Sequence, residues 1–376
     1  MSREALMELL DNPIQEYAWG SHEVLAEFLG RPAPTEAPQA ELWIGAHPAA
    51  PSRLRSGRPL GDVIAADPGA ALGDASVSAF GPRLPFLLKV LAVAEPLSLQ
   101  VHPDREQAER GFAAETAPEG DPSRNYKDSW PKPEILCALT DFRALCGLRD
   151  PRESAALLAP IAALRPVVDL LTAGDLRGAV ETLLTWPSPK DVVAEAAAVA
   201  PEPYASLAAR HPGDMGVLVA MLMSEVRLRP GQALYVPPRR PHAYLSGTGV
   251  ELMAGSDNVL RAGLTPKRVD VPELLSVASF EPGPPDVIEP EHRDGEDVYV
   301  TPAPEFRLSR LDAARRPVLP AAGPQLLLCA EGGVRLRRDG QELELRRGDA
   351  VFAGHRGGPV EVTGSGTVFR ASLPRL

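Results

Sequence analysis

Three stretches of this 376-residue sequence carry side chains whose types and spacing suit metal or proton chemistry. In PLSLQVHP, Pro96–Pro103, alternation sends Leu97, Leu99 and Val101 to one face of a strand and Ser98, Gln100 and His102 to the other. Two neighbouring side chains of one pleated face can reach a single metal ion. In NYKDSWPKPEILCAL, Asn125–Leu139, Glu134 opens an apolar strand directly after Pro133. Lys132 shares its face where the backbone is extended, as a residue before proline prefers. A carboxylate ligand beside a lysine is a charge-coupled proton carrier; the alternative is an exposed ion pair worth at most about 1 kcal/mol. In LRPGQALYVPPRRPHAYLSG, Leu228–Gly247, His242 and Tyr244 face the same way on a strand that follows a turn. Gln100, His102, Glu134 and His242 together offer two imidazoles, a carboxylate and an amide oxygen. Zinc accepts these donors and, as a catalyst, keeps a position open. Fe(II) and Mn(II) are compatible with the same set. No cysteine lies at ligand spacing, which argues against a structural zinc–thiolate site.

The elements that must position these residues follow from texture. The first 150 residues are turn-rich, as expected for many short strands, with Leu84–Pro103 reading as two strands broken at Glu95-Pro96. From about Pro151 to Met223 the chain becomes Ala/Leu-rich at helical spacing, and prolines end each segment. This predicts a helical block inserted into a β protein. Strand texture returns after Ser224, Glu281–Asp297 reads as a proline-rich linker, and Asp339-Gly340 between alternating runs predicts a hairpin. Length predicts two or three domains with a core of their own.

Composition narrows the function. Hydrophobic residues make up 44% and charged residues 24%, as in globular proteins, and the formal net charge of −11 argues against a nucleic-acid or anionic-membrane binder. An anionic substrate therefore requires a local basic cluster. The three cysteines are too sparse for a disulfide framework, and no apolar run reaches the length of a membrane span, so the cytosol is the expected compartment. Of 39 basic residues only Lys89, Lys127, Lys132, Lys190 and Lys267 are lysine, and the asparagines are Asn12, Asn125 and Asn258. Four of these lysines and all three asparagines fall within motif-like segments.

Gly231, Pro237 and His242 match the second cupin motif, G-x5-P-x-G-x2-H, with Arg239 where glycine is usual. Further segments are NPIQEYAWGS (Asn12–Ser21), AELWIGAHP (Ala40–Pro48), PFLLKVLAVAEPLSLQVHPD (Pro85–Asp104), NYKD…KPE (Asn125–Glu134), PHAYLSG (Pro241–Gly247) and VELMAGSDNVLRAGLTPKRVDV (Val250–Val271). In this order they make the sequence resemble the type I phosphomannose isomerases, zinc-dependent cupin enzymes. The resemblance implies a mainly β fold with a cupin (jelly-roll) catalytic barrel from residues 1–150 and 225–285. An α-helical domain is inserted at 151–224, and a C-terminal cupin-like β domain occupies 286–376. Aligning Gly348–Pro359 on the cupin spacing puts Gly354 at the proline and Pro359 at the histidine, so that last domain is expected without metal.

The resemblance further implies one zinc per chain on Gln100, His102, Glu134 and His242. It implies Arg261, Lys132 and Glu251 as catalytic residues and Trp19, Lys89, Ser98, Tyr244, Asp257 and Lys267 as substrate-binding residues. Lys89, Lys132 and Lys267 would supply positive charge for a phosphosugar, with mannose 6-phosphate and fructose 6-phosphate interconverted through an enediol. The oligomeric state stays open, a monomer being compatible. One departure stands out: where the family reads YKD-P-N-H-KPE, this chain has Pro131 in place of the histidine. Two rival classes share such a barrel, a non-catalytic metal-containing sugar-phosphate sensor and an Fe(II) oxygenase.

Overall fold

The structure, a computed structural model, describes residues 7–374. Alternation governs the strands around the site. All eight residues of Phe86–Val93 are buried. Phe86, Leu88, Val90 and Ala92 pack into one hydrophobic cluster, Leu91 and Val93 into another. This is the two-period division of a strand covered on both sides. Glu134–Ala138 divides likewise, with Ile135 and Cys137 in the first cluster and Leu136 and Ala138 in the second. Lys89 and Glu134 thus share parity with residues that face the same interior.

That interior lies between two antiparallel sheets that share one 13-residue strand, His242–Ala254. Its first part pairs with Leu99–Val101 and Phe142–Leu148. From Gly247 onward it pairs with Phe86–Val93, and from Gly249 also with Glu134–Ala138. Glu41–Ile44 extends the second set beyond Phe86–Val93, and Leu260–Gly263 lies beside Leu99–Val101. The strand changes sheets at Gly247, where φ is +121° and a Cβ would stand 2.7 Å from both Asp141 O and Phe142 Cδ2. Only glycine fits such a turn at such a contact.

Between Phe142–Leu148 and Met223–Leu228 the chain forms six α-helices, from Pro151–Leu158 to Gly216–Ala220. Proline follows the cap at Asp150, whose side chain accepts from Arg152 N. The helices bury Val167, Leu171, Val180 and Leu218 against Leu99, Val101, Ala243 and Leu245, the outward residues of the site-bearing strands. The block therefore backs the site.

A second β unit combines an eight-stranded and a four-stranded sheet. Gly333–Arg338 and Gln341–Arg346 form the expected hairpin, with Asp339 and Gly340 both at positive φ. Three details correct the texture reading. Met7–Asp11 pairs with Ala350–Ala353, so this early strand lies in the C-terminal sheet. Within the expected linker, Asp286–Ile288 pairs with Ala233–Tyr235; its prolines mark turns between short strands. The first 150 residues also contain helices, among them Leu60–Ala66, Asp74–Phe80 and Arg105–Ala114. The last has a full capping box between Asp104 and Gln107, a signal that the strand expectation passed over. Among the described residues no helix is long and apolar enough to cross a membrane.

Gly247→Ala is expected to cost about 2–4 kcal/mol, from left-handed strain plus overpacking. A denaturant midpoint unchanged from wild type would contradict the account of the shared strand.

Candidate active site

Register brings distant residues to one interior. Glu251 lies opposite Lys89, Met253 opposite Glu134, and Gln100 opposite both His242 and Arg261. Ser98, Gln100, Lys132, Glu134, His242, Tyr244, Glu251, Lys89 and Glu41 line one cavity of about 90 Å³.

At its floor, ligand atoms of His102, Glu134 and His242 lie within 4.8 Å of one another. His102 Nε2 is 3.2 Å from Glu134 Oε1, and His242 Nε2 is 3.4 Å from Oε2. Each ring uses its other nitrogen on a backbone carbonyl: His102 Nδ1 on Asn258 O at 2.8 Å, His242 Nδ1 on Arg240 O at 3.1 Å. With those nitrogens donating, both Nε2 lone pairs turn toward the carboxylate. His102 Nε2 is buried and has no hydrogen-bond partner. Burial pushes the His102 ring down to about 4, Lys132 adding to the effect, so it is neutral at neutral pH and in the form a metal requires. Buried lone pairs facing a carboxylate are costly as a hydrogen-bonded set and suitable as a metal cradle. The residues fit the metal.

Two lysines are held against carboxylates. Lys132 Nζ is 3.1 Å from Glu134 Oε1. Burial pushes the Glu134 carboxyl up, but Lys132 and the imidazoles more than offset this and hold it well below the usual range. Lys89 Nζ lies 3.1 Å from Glu41 Oε2 and 3.2 Å from Glu251 Oε2. Burial opposes the Lys89 charge, yet Glu41 and Glu251 raise its pKa well above the ordinary value. Burial raises the Glu251 carboxyl against the pull of Lys89. Burial and then Glu251 push the Tyr244 hydroxyl up as well.

Arg261, Asp257 and Lys267 line an adjoining cleft of about 1150 Å³, together with His47, Arg83 and Lys127. No carboxylate of the described residues forms an ion pair with Arg261, Lys267 or Lys127. Arg261 and then burial push the Lys267 ammonium down, with Lys127 adding. The unpaired positive charge is thus in this cleft, whereas the expected contribution of Lys89 is neutralised by two carboxylates. Trp19 and Leu97, both partly buried, pack against the edge of the interior cluster. Arg239, where glycine is usual, has φ +71° and donates its N–H to His102 O; the motif's glycine preference is a backbone requirement.

Sequence reasoning missed four residues. Glu41, seen only as part of a segment, neutralises Lys89 and accepts from Trp43 Nε1 at 2.6 Å. His47 is buried beside the cleft, with Nε2 3.2 Å from Asp257 Oδ2 and its ring edge-on to Trp43. Lys127 and Asn258 complete the set, and their scarcity as residue types was the one available signal.

Two buried imidazoles facing a carboxylate, with unpaired positive charge in the cleft nearby, define a candidate metal-site enzyme. A model of the phosphomannose isomerase type I catalytic domain matches residues 7–151. Mannose-6-phosphate isomerase of Escherichia coli is 37% identical over 97% of this chain and 99% of its own length. The bovine mannose-6-phosphate isomerase is 32% identical over 91% and 92%. A mutant phosphomannose isomerase from Salmonella typhimurium superposes with a TM-score of 0.91 at 37% identity, covering 99% of this chain and all of that one. A mannose 6-phosphate isomerase solved with zinc and yttrium matches equally, at 0.91 and 37% with the same coverage. The chain belongs to the type I phosphomannose isomerase family and is an isomerase.

Burial alone would raise the Asp257 carboxyl; His47, Lys127 and Lys132 hold it down at about 2. Its contribution to stability is therefore present above its unfolded value near 4 and lost as pH falls through about 2. His47→Ala should move the Asp257 titration, followed by carboxyl ¹³C NMR, upward. An unmoved titration would contradict the assigned contact.

Proposed function

We propose that this chain interconverts D-mannose 6-phosphate and D-fructose 6-phosphate, on a cupin-type jelly-roll barrel that carries one zinc ion. The observation that carries the reading is the His102–Glu134–His242 donor set beside Glu251 and an unpaired Arg261, in a chain aligned along nearly its whole length with isomerases of that name. Gln100 completes the zinc ligands. When bound, zinc supplies Lewis acidity toward the sugar's carbonyl oxygen.

The chain's own residues divide the remaining work. In the open-chain aldose the C2 proton is removed, an enediol forms, and a proton is returned to C1. Glu251 is the better proton carrier of the two candidates, because burial raises its carboxyl toward the pH at which it must both take and return a proton. Lys132, an ammonium held at Glu134, donates hydrogen bonds to the oxygens on which charge develops. Arg261 is permanently cationic and unpaired, suited to grip the phosphate or that developing charge. Lys267 and Lys127 add to its field, and Ser98, Tyr244, Lys89, Asp257 and Trp19 shape the pocket. Pro131 cannot carry a proton, so ring opening proceeds without a histidine at that position. A sugar-phosphate sensor would have no use for a buried carboxyl of raised basicity, and an oxygenase would have no use for the cationic cleft.

Arg261→Ala is expected to lower kcat/KM at least about tenfold, one charge-assisted hydrogen bond being worth roughly 1.5–3 kcal/mol. Zinc content should be unchanged. Incubation of 2-deuterated mannose 6-phosphate should wash out label in wild type and not in Glu251→Gln. Wild-type turnover in Arg261→Ala, or continued wash-out in Glu251→Gln, would refute these roles; absence of any isomerisation by the zinc-loaded wild type would refute the function. Pro131→His should be tolerated without being required.

A further inference from the structure

Asn258 is fully buried, yet nothing in the reaction described above uses it. Its amide spends its whole hydrogen-bonding capacity on one segment far away in sequence. Nδ2 donates to Asp128 O at 2.7 Å and Trp130 O at 3.0 Å. Oδ1 accepts from Lys127 N at 2.8 Å and Asp128 N at 3.3 Å. Its backbone carbonyl accepts from His102 Nδ1 at 2.8 Å. Its flanks tie the same two segments together, Ser256 Oγ donating to Trp130 O and Asp257 N to Asp128 Oδ2.

We propose that Asn258 is a positioning residue that fixes the ring of His102 for the metal by anchoring its own backbone to the cleft-lining segment Lys127–Trp130. The proposal rests on the reading of His102 as a ligand. The acceptor on which the ring's tautomer and direction depend is a loop carbonyl, and a loop carbonyl holds its place only as firmly as its own residue is held. Four hydrogen bonds from one amide, in two directions, supply that hold. Asparagine is the residue that satisfies them: it has two donors and two acceptor lone pairs on a short stem. Aspartate of the same shape would take the donor from the carbonyl of Asp128 and leave that of Trp130 with Ser256 Oγ alone, serine would meet at most half the contacts, and glutamine is one methylene too long for a site with no exposure. A shift of about half an ångström or a tilt of 10–20° is enough to spoil a ligand's geometry. The same amide joins Lys127 of the cleft to His102 of the metal floor, so a displacement of the one is felt at the other.

The test is zinc affinity of the full-length protein, measured by competition with a chromophoric chelator, together with exchange of the His102 Nδ1 proton in ¹⁵N-histidine-labelled metal-free protein. Asn258→Ala should weaken zinc tenfold or more, the range seen when the outer partner of a ligating histidine is lost, and should speed exchange of the Nδ1 proton. Asn258→Asp, which keeps the acceptor and loses the donors, should fall between Asn258→Ala and wild type and serves should the alanine variant not fold. Leu327→Ala, a core truncation in the second β unit, should lower thermal stability and leave zinc affinity unchanged. Zinc affinity within threefold of wild type in the Asn258 variants would overturn the proposal. So would an equal loss in Leu327→Ala, which would make the effect one of general loosening. Wild-type protein that binds no zinc, or His102→Ala that binds it undiminished, would sink the reading of the site and this proposal with it.

Discussion

The structure turns on keeping ionised groups inside a β interior. Glu41, Glu134 and Glu251 are buried there with Lys89 and Lys132, and each is held in a carboxylate–ammonium pair, Glu134 in carboxylate–imidazole contacts as well. Removing one partner of a buried pair typically costs 3–5 kcal/mol, because the other charge is left behind. The set is therefore kept together or lost together. The three carboxylates and two ammoniums by themselves leave this interior one unit negative; a divalent cation at Glu134 would turn the sign to positive. The acidic protein would then have a positive floor near the unpaired Arg261.

Strand pairing is the device that assembles this interior. The shared strand His242–Ala254 contributes His242 and Tyr244 from one sheet and Glu251 from the other. A one-residue slip anywhere along it would send these groups into the hydrophobic clusters behind the sheets. Those clusters are large on both sides, with the helical block behind one sheet and the second β unit behind the other. Both flanking units thus work as backing that fixes register, and the bend at Gly247 sets how the two halves of the site face each other.

How far the sequence disclosed this depended on how local each feature is. Gln100 and His102 share a face by alternation within one strand, and Lys132 with Glu134 follows from spacing, so these could be read directly. The helical block and the Asp339-Gly340 hairpin could be read because period and turn chemistry are local too. The Glu41–Lys89–Glu251 cluster could not, since it arises from the register of three strands far apart in sequence. Lys89 therefore looked like free positive charge when it is bound on both sides. Asn258 and His47 were hidden for the same reason: their partners are loops brought close by tertiary packing. Pro and Gly density misled over 281–297, where it marks turns between paired strands.

The central claim is that the buried His102–Glu134–His242 set holds the metal on which isomerisation depends. The direct measurement is a zinc titration of chelator-treated protein, following bound metal and mannose 6-phosphate turnover in the same samples. Turnover should be absent at the start, rise in proportion to bound zinc, and level off at one ion per chain, with the circular dichroism of the fold unchanged throughout. Full turnover in metal-free protein, or activity that saturates without one equivalent bound, would contradict it.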